Sequence, residues 1–299
     1  MRRNLDSIPS SITIVLVGVL ASTTNARAQC GQWDPIFGTP QSQMSVAECI
    51  TLWDPDGSGP TQPQLFVDGL FYFSDSTSGG NLARWDGATW QRVGGGLNGR
   101  VRALTTWDPD GSEPLPAVLV AAGEFTVAGA APSVYSPLVA YWDGVNWHSL
   151  GTGLGPVASS PYVGKLTTWD PDGPGPQPPL LVAGGTFTNN NGAVTLNRLA
   201  FWDGANWQPF GTGADAEVRS LTSWDPDGQG PLTPRLVVGG NLSSINGTTL
   251  SRIGYYNGTA WQALASGFDS AVTALTVADP DGAGPLGAQL IAEALGGRA

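Results

Sequence analysis

Histidine, cysteine, lysine and charge are scarce in this chain. Its 299 residues include one histidine, His148, two cysteines, Cys30 and Cys49, and one lysine, Lys165, and charged residues make up 12% of the total. One histidine is too few for a histidine-rich metal centre, and it leaves a Ser-His-Asp triad a single candidate base. The formal net charge of −11 offers no basic face to a phosphate backbone, so no nucleic-acid partner is expected. Long hydrophobic runs are missing as well. The longest apolar stretch, Ile12 to Ala21, is about half of the ~20 residues that a helix needs to cross a bilayer. No segment sustains a 3.6-residue apolar period, so helices are expected to be few.

What is present is glycine, proline and a periodic set of tryptophans. The 42 glycines and 24 prolines suit short strands joined by tight turns. Trp53, Trp107, Trp169 and Trp224 each open a W-D-P-D-G string, at spacings of 54, 62 and 55 residues. Trp85, Trp142 and Trp202 each open W-D-G, and Trp90, Trp147, Trp207 and Trp261 follow five residues after that position, with Tyr256 standing for the tryptophan in the last copy. Trp33 lies 57 residues before Trp90 and falls on the same lattice. A repeat of about 40 to 60 residues is the signature of propeller blades or related arrays, in which one unit buries its apolar face only against its neighbours. The tryptophans are therefore read first as wedges between sheets, since each buries on the order of 150–250 Å².

The unit is clearest from Lys165 to Gly213, where turn signals divide it into four strand-length segments. Lys165 to Trp169 ends at the D-P-D-G turn, Leu180 to Phe187 carries a diglycine, Arg198 to Trp202 ends at Asp203-Gly204, and Trp207 to Gly211 follows. Four antiparallel strands per unit, repeated in tandem, predict an all-β fold, a β-propeller of four-stranded antiparallel blades. Complete copies are expected at about 46–97, 101–154, 163–213 and 218–268, with a partial fifth at 271–299. Trp33-Asp34-Pro35-Ile36 matches the fourth-segment string Trp207-Gln208-Pro209-Phe210, so 30–39 is a candidate strand for closing the ring. A chain cut short, with blades lost, is the alternative.

A diglycine closing the second segment, an aromatic-Asp pair closing the third and a tryptophan shortly after it resemble the kelch-type blade. The longer string, G-G-x-F then L-A-x-W-D-G-x-x-W-x-x-L-G-x-G-L, is similar to repeats of secreted bacterial multi-repeat proteins and of fungal cortical-polarity-marker propellers. The likeness covers about residues 32–292, and the first two copies depart from it with Asp68-Gly69 and Ala122-Gly123 in place of the diglycine. Its motifs imply a fold, not an activity. The copper-oxidase chemistry of one kelch-type class needs histidine ligands that this chain lacks.

The first 28 residues read as an export signal: Arg2 and Arg3, an apolar stretch, then the small-x-small pattern Ala26-Arg27-Ala28. A domain from 29 to 299 is thus expected in the periplasm or outside the cell, with no transmembrane anchor. In such an oxidising compartment Cys30 and Cys49 would form one structural disulfide.

The aspartates of the repeated turns are the candidate metal ligands. Asp54 and Asp56, Asp108 and Asp110, Asp170 and Asp172, Asp225 and Asp227, and Asp279 and Asp281 each place two carboxylates two residues apart before a glycine, as calcium loops do. Pro-Asp-Gly is equally what a tight turn demands, and no third acid follows, so the plain turn is preferred and calcium is the only cofactor considered. Glu124 and Glu217 stand outside the repeat, and a catalytic carboxylate pair should break the repeat and not follow it. His148 occupies a position held elsewhere by Gln91, Gln208 and Gln262. The expected function is a non-catalytic exported scaffold that binds a protein or carbohydrate ligand through its loops, with Ser74–Gly80, Thr126–Pro137 and Asn189–Thr195 as the variable stretches. A glycan-active enzyme on the same fold is the alternative.

Overall fold

The computed structural model describes residues 47–57, 59–71, 80–111, 115–155, 160–190, 192, 194–228, 230, 232–279 and 287–295. Among them there are 22 strands and no helix, so none is present that could cross a membrane.

The first sheet runs β1 (Ile50–Trp53), β2 (Gln64–Phe71), β3 (Gly80–Trp85) and β4 (Trp90–Arg92). The second has β5 (Val101–Trp107) and β6 (Val118–Gly123), then a small hairpin of β7 (Val127–Ala128) and β8 (Val134–Tyr135), then β9 (Val139–Trp142) and β10 (Trp147–Ser149). The third comprises β11 (Val163–Trp169), β12 (Leu180–Gly185), β13 (Leu199–Trp202) and β14 (Trp207–Pro209). The fourth comprises β15 (Val218–Trp224) and β16 (Arg235–Gly240), the small hairpin β17 (Ser244–Ile245) and β18 (Thr248–Thr249), then β19 (Ile253–Tyr256) and β20 (Trp261–Ala263). A last hairpin joins β21 (Val272–Ala278) to β22 (Gln289–Ala294).

Each large sheet is an antiparallel meander with its strands in chain order, apart from the inserted small hairpins. The first strands β5, β11, β15 and β21 lie side by side, one sheet to the next. Serial four-stranded sheets packed in this way fit the blades of a propeller. Among the described residues the series is open, and no closed propeller is formed.

Second and third strands are shorter than the apolar segments foretell. β12 stops at Gly185, two residues before Phe187, and β13 starts at Leu199 because Arg198 has φ 71°. Phe187, like Phe125 and Leu242, leaves the strand and fills the space between sheets, fully buried.

The tryptophan lattices hold neighbouring sheets together in two directions. At the end of each first strand the indole N–H reaches forward to the carbonyl just before the next sheet's second strand. Trp53 donates to Ala117 at 2.8 Å, Trp107 to Pro179 at 2.8 Å, Trp169 to Pro234 at 2.9 Å and Trp224 to Ala288 at 2.9 Å. In the fourth strands the reach is backward: Trp147 donates to Val93 and Trp207 to Leu150, both at 3.2 Å. The third-strand rings Trp142 and Trp202 close over Gly94 and Gly151 of the preceding sheet, where a larger residue has no room. Apolar burial between sheets drives the packing, and these bonds fix its register, whereas the Trp142 indole N–H is buried without a hydrogen-bond partner.

Candidate functional site

Topology divides the loops between two faces. Turns linking first to second and third to fourth strands share one face, which carries the D-P-D-G and W-D-G turns. Starts of first strands, ends of second strands and the long connections between sheets share the other.

On that second face the charged residues that break the repeat come together. Hairpin pairing aligns Arg100, Tyr162, Glu217 and Ala271, each directly before a first strand. Two residues later the aligned positions hold Arg102, Gly164, Arg219 and Thr273, and Glu48 takes this place in the first sheet. Arg102 donates Nε–H to Glu124 Oε1 at 2.6 Å, and its guanidinium lies 4.3 Å from the centre of the Tyr162 ring. The Tyr162 hydroxyl donates to Glu217, which also accepts from Arg219 Nε at 2.9 Å. Glu48 pairs with Arg100 and lies 3.8 Å from Arg102. The network thus crosses all four sheets.

Burial and then the Glu217 acceptor push the Tyr162 hydroxyl up to about 12, so it remains a donor at any ordinary pH. The charged members are between a quarter and a half exposed, and such pairs contribute on the order of 0–1 kcal/mol each to folding. The fold does not require these residue types, because Ala271, Gly164 and Thr273 serve at the same positions. An aromatic ring, three arginines and three carboxylates held in one partly exposed array can accept, donate and stack. Within it the Tyr162 hydroxyl is the one that meets a carboxylate, Glu217.

Glu124 and Glu217, far apart in sequence, are therefore united through Arg102 and Tyr162. Glu48, Arg100, Arg102, Tyr162 and Arg219 escaped the sequence reading. The signal that could have found them is chemical change at aligned positions of an otherwise regular repeat.

The first sheet anchors its part of this face through Asp68, which stands where later repeats have the first glycine of the pair. Asp68 is 1% exposed, and its carboxylate accepts the backbone N–H groups of Glu48, at 2.8 Å, and Cys49. Burial raises the Asp68 carboxyl above the usual range against the opposing effect of those donors, and burial together with Asp68 raises the Cys49 thiol. Cys30 lies outside the described residues, as do Trp33 and the export signal.

The variable stretches are partly structural. The Asn98 side chain accepts the Thr126 and Val127 amides at 2.8 and 2.9 Å, and Asn246 accepts the Thr212 amide at 2.9 Å. Thr152 donates its hydroxyl to Asn190 O at 2.5 Å. The connections after the fourth strands of the first three sheets are thus tied to the next sheet's loop. Residues 74–79 lie outside the described set.

On the opposite face the D-P-D-G turns repeat one arrangement. The first carboxylate caps the turn: Asp54, Asp108, Asp170 and Asp225 accept the amides of Asp56, Asp110, Asp172 and Asp227 at 3.2–3.3 Å. The second carboxylate accepts an amide five residues on, from Thr61, Leu115, Gln177 and Leu232 at 3.0–3.3 Å. These are the bonds of a plain turn. One oxygen is left over each time: Oδ1 of Asp56, Asp110, Asp172 and Asp227 is buried without a hydrogen-bond partner. Burial, reinforced by the facing Asp172 and Asp227 carboxylates, pushes Asp170 and Asp225 above the usual range, whereas the Thr61 amide draws Asp56 below it. No group of three or more metal-ligating His, Cys, Asp or Glu side chains occurs among the described residues. Asp279 begins a fifth such turn, whose Asp281 lies outside them.

His148 sits on the outermost strand β10, stacked 4.8 Å from the Tyr141 ring and 2.6 Å from Asp143 Oδ2, away from the charged network.

A scan against protein-family models finds no match, and neither does a search of the curated proteins. Among solved structures, BBS1N in complex with ARL6DN, soaked with lead, aligns over 88% of this chain and 93% of that chain at 14% identity, with a TM-score of 0.32. A likeness of that size carries no argument about this chain.

Proposed function

We propose that the chain is an exported, non-catalytic repeat scaffold, a kelch-like propeller, that binds a protein or glycan ligand on the face holding Arg102, Tyr162 and Glu217. The observation that carries this reading is the gathering of repeat-breaking polar residues on one face at positions where the fold tolerates alanine, glycine and threonine. Both non-periodic acids are engaged by arginines, Glu124 by Arg102 and Glu217 by Arg219, which suits recognition better than the acid and base work of a glycosidase. Screening the full chain on a glycan array and against extracellular proteins is expected to find a ligand whose binding falls at least tenfold in Tyr162→Ala and Arg102→Ala. Turnover on a polysaccharide panel, abolished by Glu124→Gln or Glu217→Gln, would instead establish the enzyme.

We also propose calcium as a stabilising ligand of the D-P-D-G turns, on the strength of the orphaned oxygen that recurs in four of them. The chain supplies few oxygens per turn, so water would complete the six to eight that calcium takes, and affinity would lie in the weak range of about 10⁻⁴–10⁻³ M. At about tenfold excess over a millimolar dissociation constant, each occupied turn adds about 1.4 kcal/mol. Thermal melts with calcium and with chelator are expected to differ by several degrees, and Asp172→Asn with Asp227→Asn should shrink the difference. Superimposable melts would return these residues to turn formation alone.

A further inference from the structure

Between the third and fourth sheets the face that carries the charged network also holds a polar cleft of about 470 Å³, within the roughly 300–1,000 Å³ of small-ligand sites. Its floor is the connection from Thr212 to Asp215. Its walls are Asn197 and Arg198 on one side and the tip of the β17–β18 hairpin, Ser244 to Gly247, on the other. Both walls hold the floor in place. The carbonyls of Thr212, Gly213 and Ala214 accept from Asn197 Nδ2 at 2.8 Å, the Asn246 amide at 2.9 Å and Arg198 Nη1 at 3.0 Å, and the Asp215 amide donates to Ser244 O at 3.2 Å. The repeat does not account for the chemistry of this junction. Where the second sheet packs Leu138 over Gly155, the aligned residues of the third are Arg198 and Asp215. Leu138 is 1% exposed, whereas Arg198 is only half-buried. Arg252 holds the position in the fourth sheet, and its Nη1 turns instead to the Asn241 and Leu242 carbonyls at 3.2 and 3.4 Å.

Several polar groups of the lining are left for a ligand. Asn246 and Gly247 form a two-residue turn with φ 48° and 78°, and Asn246 Oδ1 accepts the Thr212 amide at 2.9 Å, which leaves both Nδ2 hydrogens. Arg198 uses one side-chain N–H, at Ala214, of its five. The Ser244 hydroxyl and Asn197 Oδ1 are uncommitted among the described residues. Asp215, held by Ser243, carries the one negative charge opposite Arg198. The lining thus donates and accepts, is neutral in sum and presents no aromatic ring. A phosphate or sulfate would face Asp215, and an apolar ligand would strip these groups of water without replacing its hydrogen bonds. We propose that the cleft is a subsite for one uncharged, hydroxyl-rich sugar unit of a glycan, with Arg198 and Asn246 donating to it and Asp215 and Asn197 Oδ1 accepting from it. Asp215 stands two residues before Glu217, a span of about 7 Å, so a second unit of the same glycan reaches the Tyr162–Glu217 pair. The inference rests on the glycan reading of this face but not on Arg102 or Tyr162.

Titrating the full chain with glucose, galactose, mannose, xylose and their short oligomers, read by NMR at the side-chain N–H signals, is expected to shift Asn246 and Arg198. A ligand of about a dozen non-hydrogen atoms held by hydrogen bonds alone should bind with a roughly millimolar dissociation constant. Arg198→Leu installs the side chain that the second sheet carries at the aligned position, and Asn246→Asp keeps the left-handed backbone and the acceptor for Thr212 while removing both Nδ2 hydrogens. Each variant should melt close to the parent and bind the sugar about tenfold more weakly or worse. Tyr162→Ala should leave the binding of a single sugar unchanged. No shift with any of these sugars at the limit of their solubility, or equal affinity in the parent and both variants, overturns the proposal. Shifts produced by inorganic phosphate and by none of the sugars overturn it as well and make the cleft an anion site. A glycan whose binding needs Tyr162 but neither Arg198 nor Asn246 would uphold the charged network as a binding face and remove this subsite.

Discussion

Trp169→Ala is expected to remove about 3–5 kcal/mol of stability. Trp169 is 3% exposed, closes β11 and belongs to the core between the third and fourth sheets. Its ring lies 5.6 Å from Tyr256 and 6.3 Å from Phe210, and its N–H meets the Pro234 carbonyl at 2.9 Å. Alanine deletes the wedge, leaves a cavity and orphans that carbonyl in one step. For a unit of this size the loss corresponds to a drop in melting temperature of about 6–15 °C. Trp169→Phe keeps most of the apolar filling and should cost closer to the ~1 kcal/mol of one hydrogen bond plus the smaller ring's deficit. Because each sheet in such an array touches only its neighbours, the damage should be local. Hydrogen exchange is expected to show β15–β22 losing protection before β5–β14 in the alanine variant. Uniform loss across both halves would mean that the array melts as one body and that the nearest-neighbour account is wrong.

That prediction depends on a direction the sequence did not disclose. The spacing of the tryptophans marks repeats, and their type marks a core, since both properties are local. The four-strand unit was legible for the same reason: alternating apolar residues between Asp-Gly and Pro-Asp-Gly turns specify hairpins without reference to the rest of the chain. Which way each indole reaches is a relation between sheets. Trp107 bonds Pro179, 72 residues on, while Trp207 bonds Leu150, 57 residues back. No periodicity separates those two roles. The small hairpins β7–β8 and β17–β18 were hidden for a related reason, because each is a two-residue pairing stabilised by the loop of the preceding sheet.

The candidate site shows the limit more sharply. Glu124 and Glu217 stood out as acids off the repeat, yet their neighbours Arg102 and Tyr162 read as unremarkable residues near strand starts. Only the side-by-side packing of β5, β11 and β15 makes residues 102, 162 and 217 adjacent. Comparing aligned positions within the chain recovers the same set, since Arg100, Tyr162, Glu217 and Ala271 share a structural place and nothing else. In a repeat protein the informative residues are those that the repeat fails to explain.

Gly185→Ala is expected to damage both fold and site, for a reason that lies in the backbone. Gly185 has no positive φ, so conformational freedom is not why glycine is there. The reason is approach: an added Cβ would overlap the Tyr162 carbonyl oxygen and sit 3.0 Å from Val163 Cα. Gly123 meets Arg100 O and Gly240 meets Glu217 O in the same manner, where the register between first and second strands shifts by one residue. Each of these glycines therefore seats a residue of the charged network. A side-chain clash could be relieved by a rotamer change, but this one requires a strand to move. β12 is held on its other edge by β13, so the strain falls on the Tyr162 end of β11. The fifth hairpin carries Ala294 at the aligned position, where among the described residues β22 has no strand on its far edge to resist a shift. Overpacking of this kind costs about 1–3 kcal/mol or more, and the displaced Tyr162 should lose its bond to Glu217 and with it the ligand. Gly204→Ala is the control: φ is +98° and nothing lies within 4 Å of the new Cβ, so it carries only left-handed strain, about 1–2 kcal/mol, far from the network. Melting temperature and ligand affinity should fall together in Gly185→Ala, and only melting temperature in Gly204→Ala. Equal affinity in the two variants would mean that the glycine pair shapes the sheet without shaping the site.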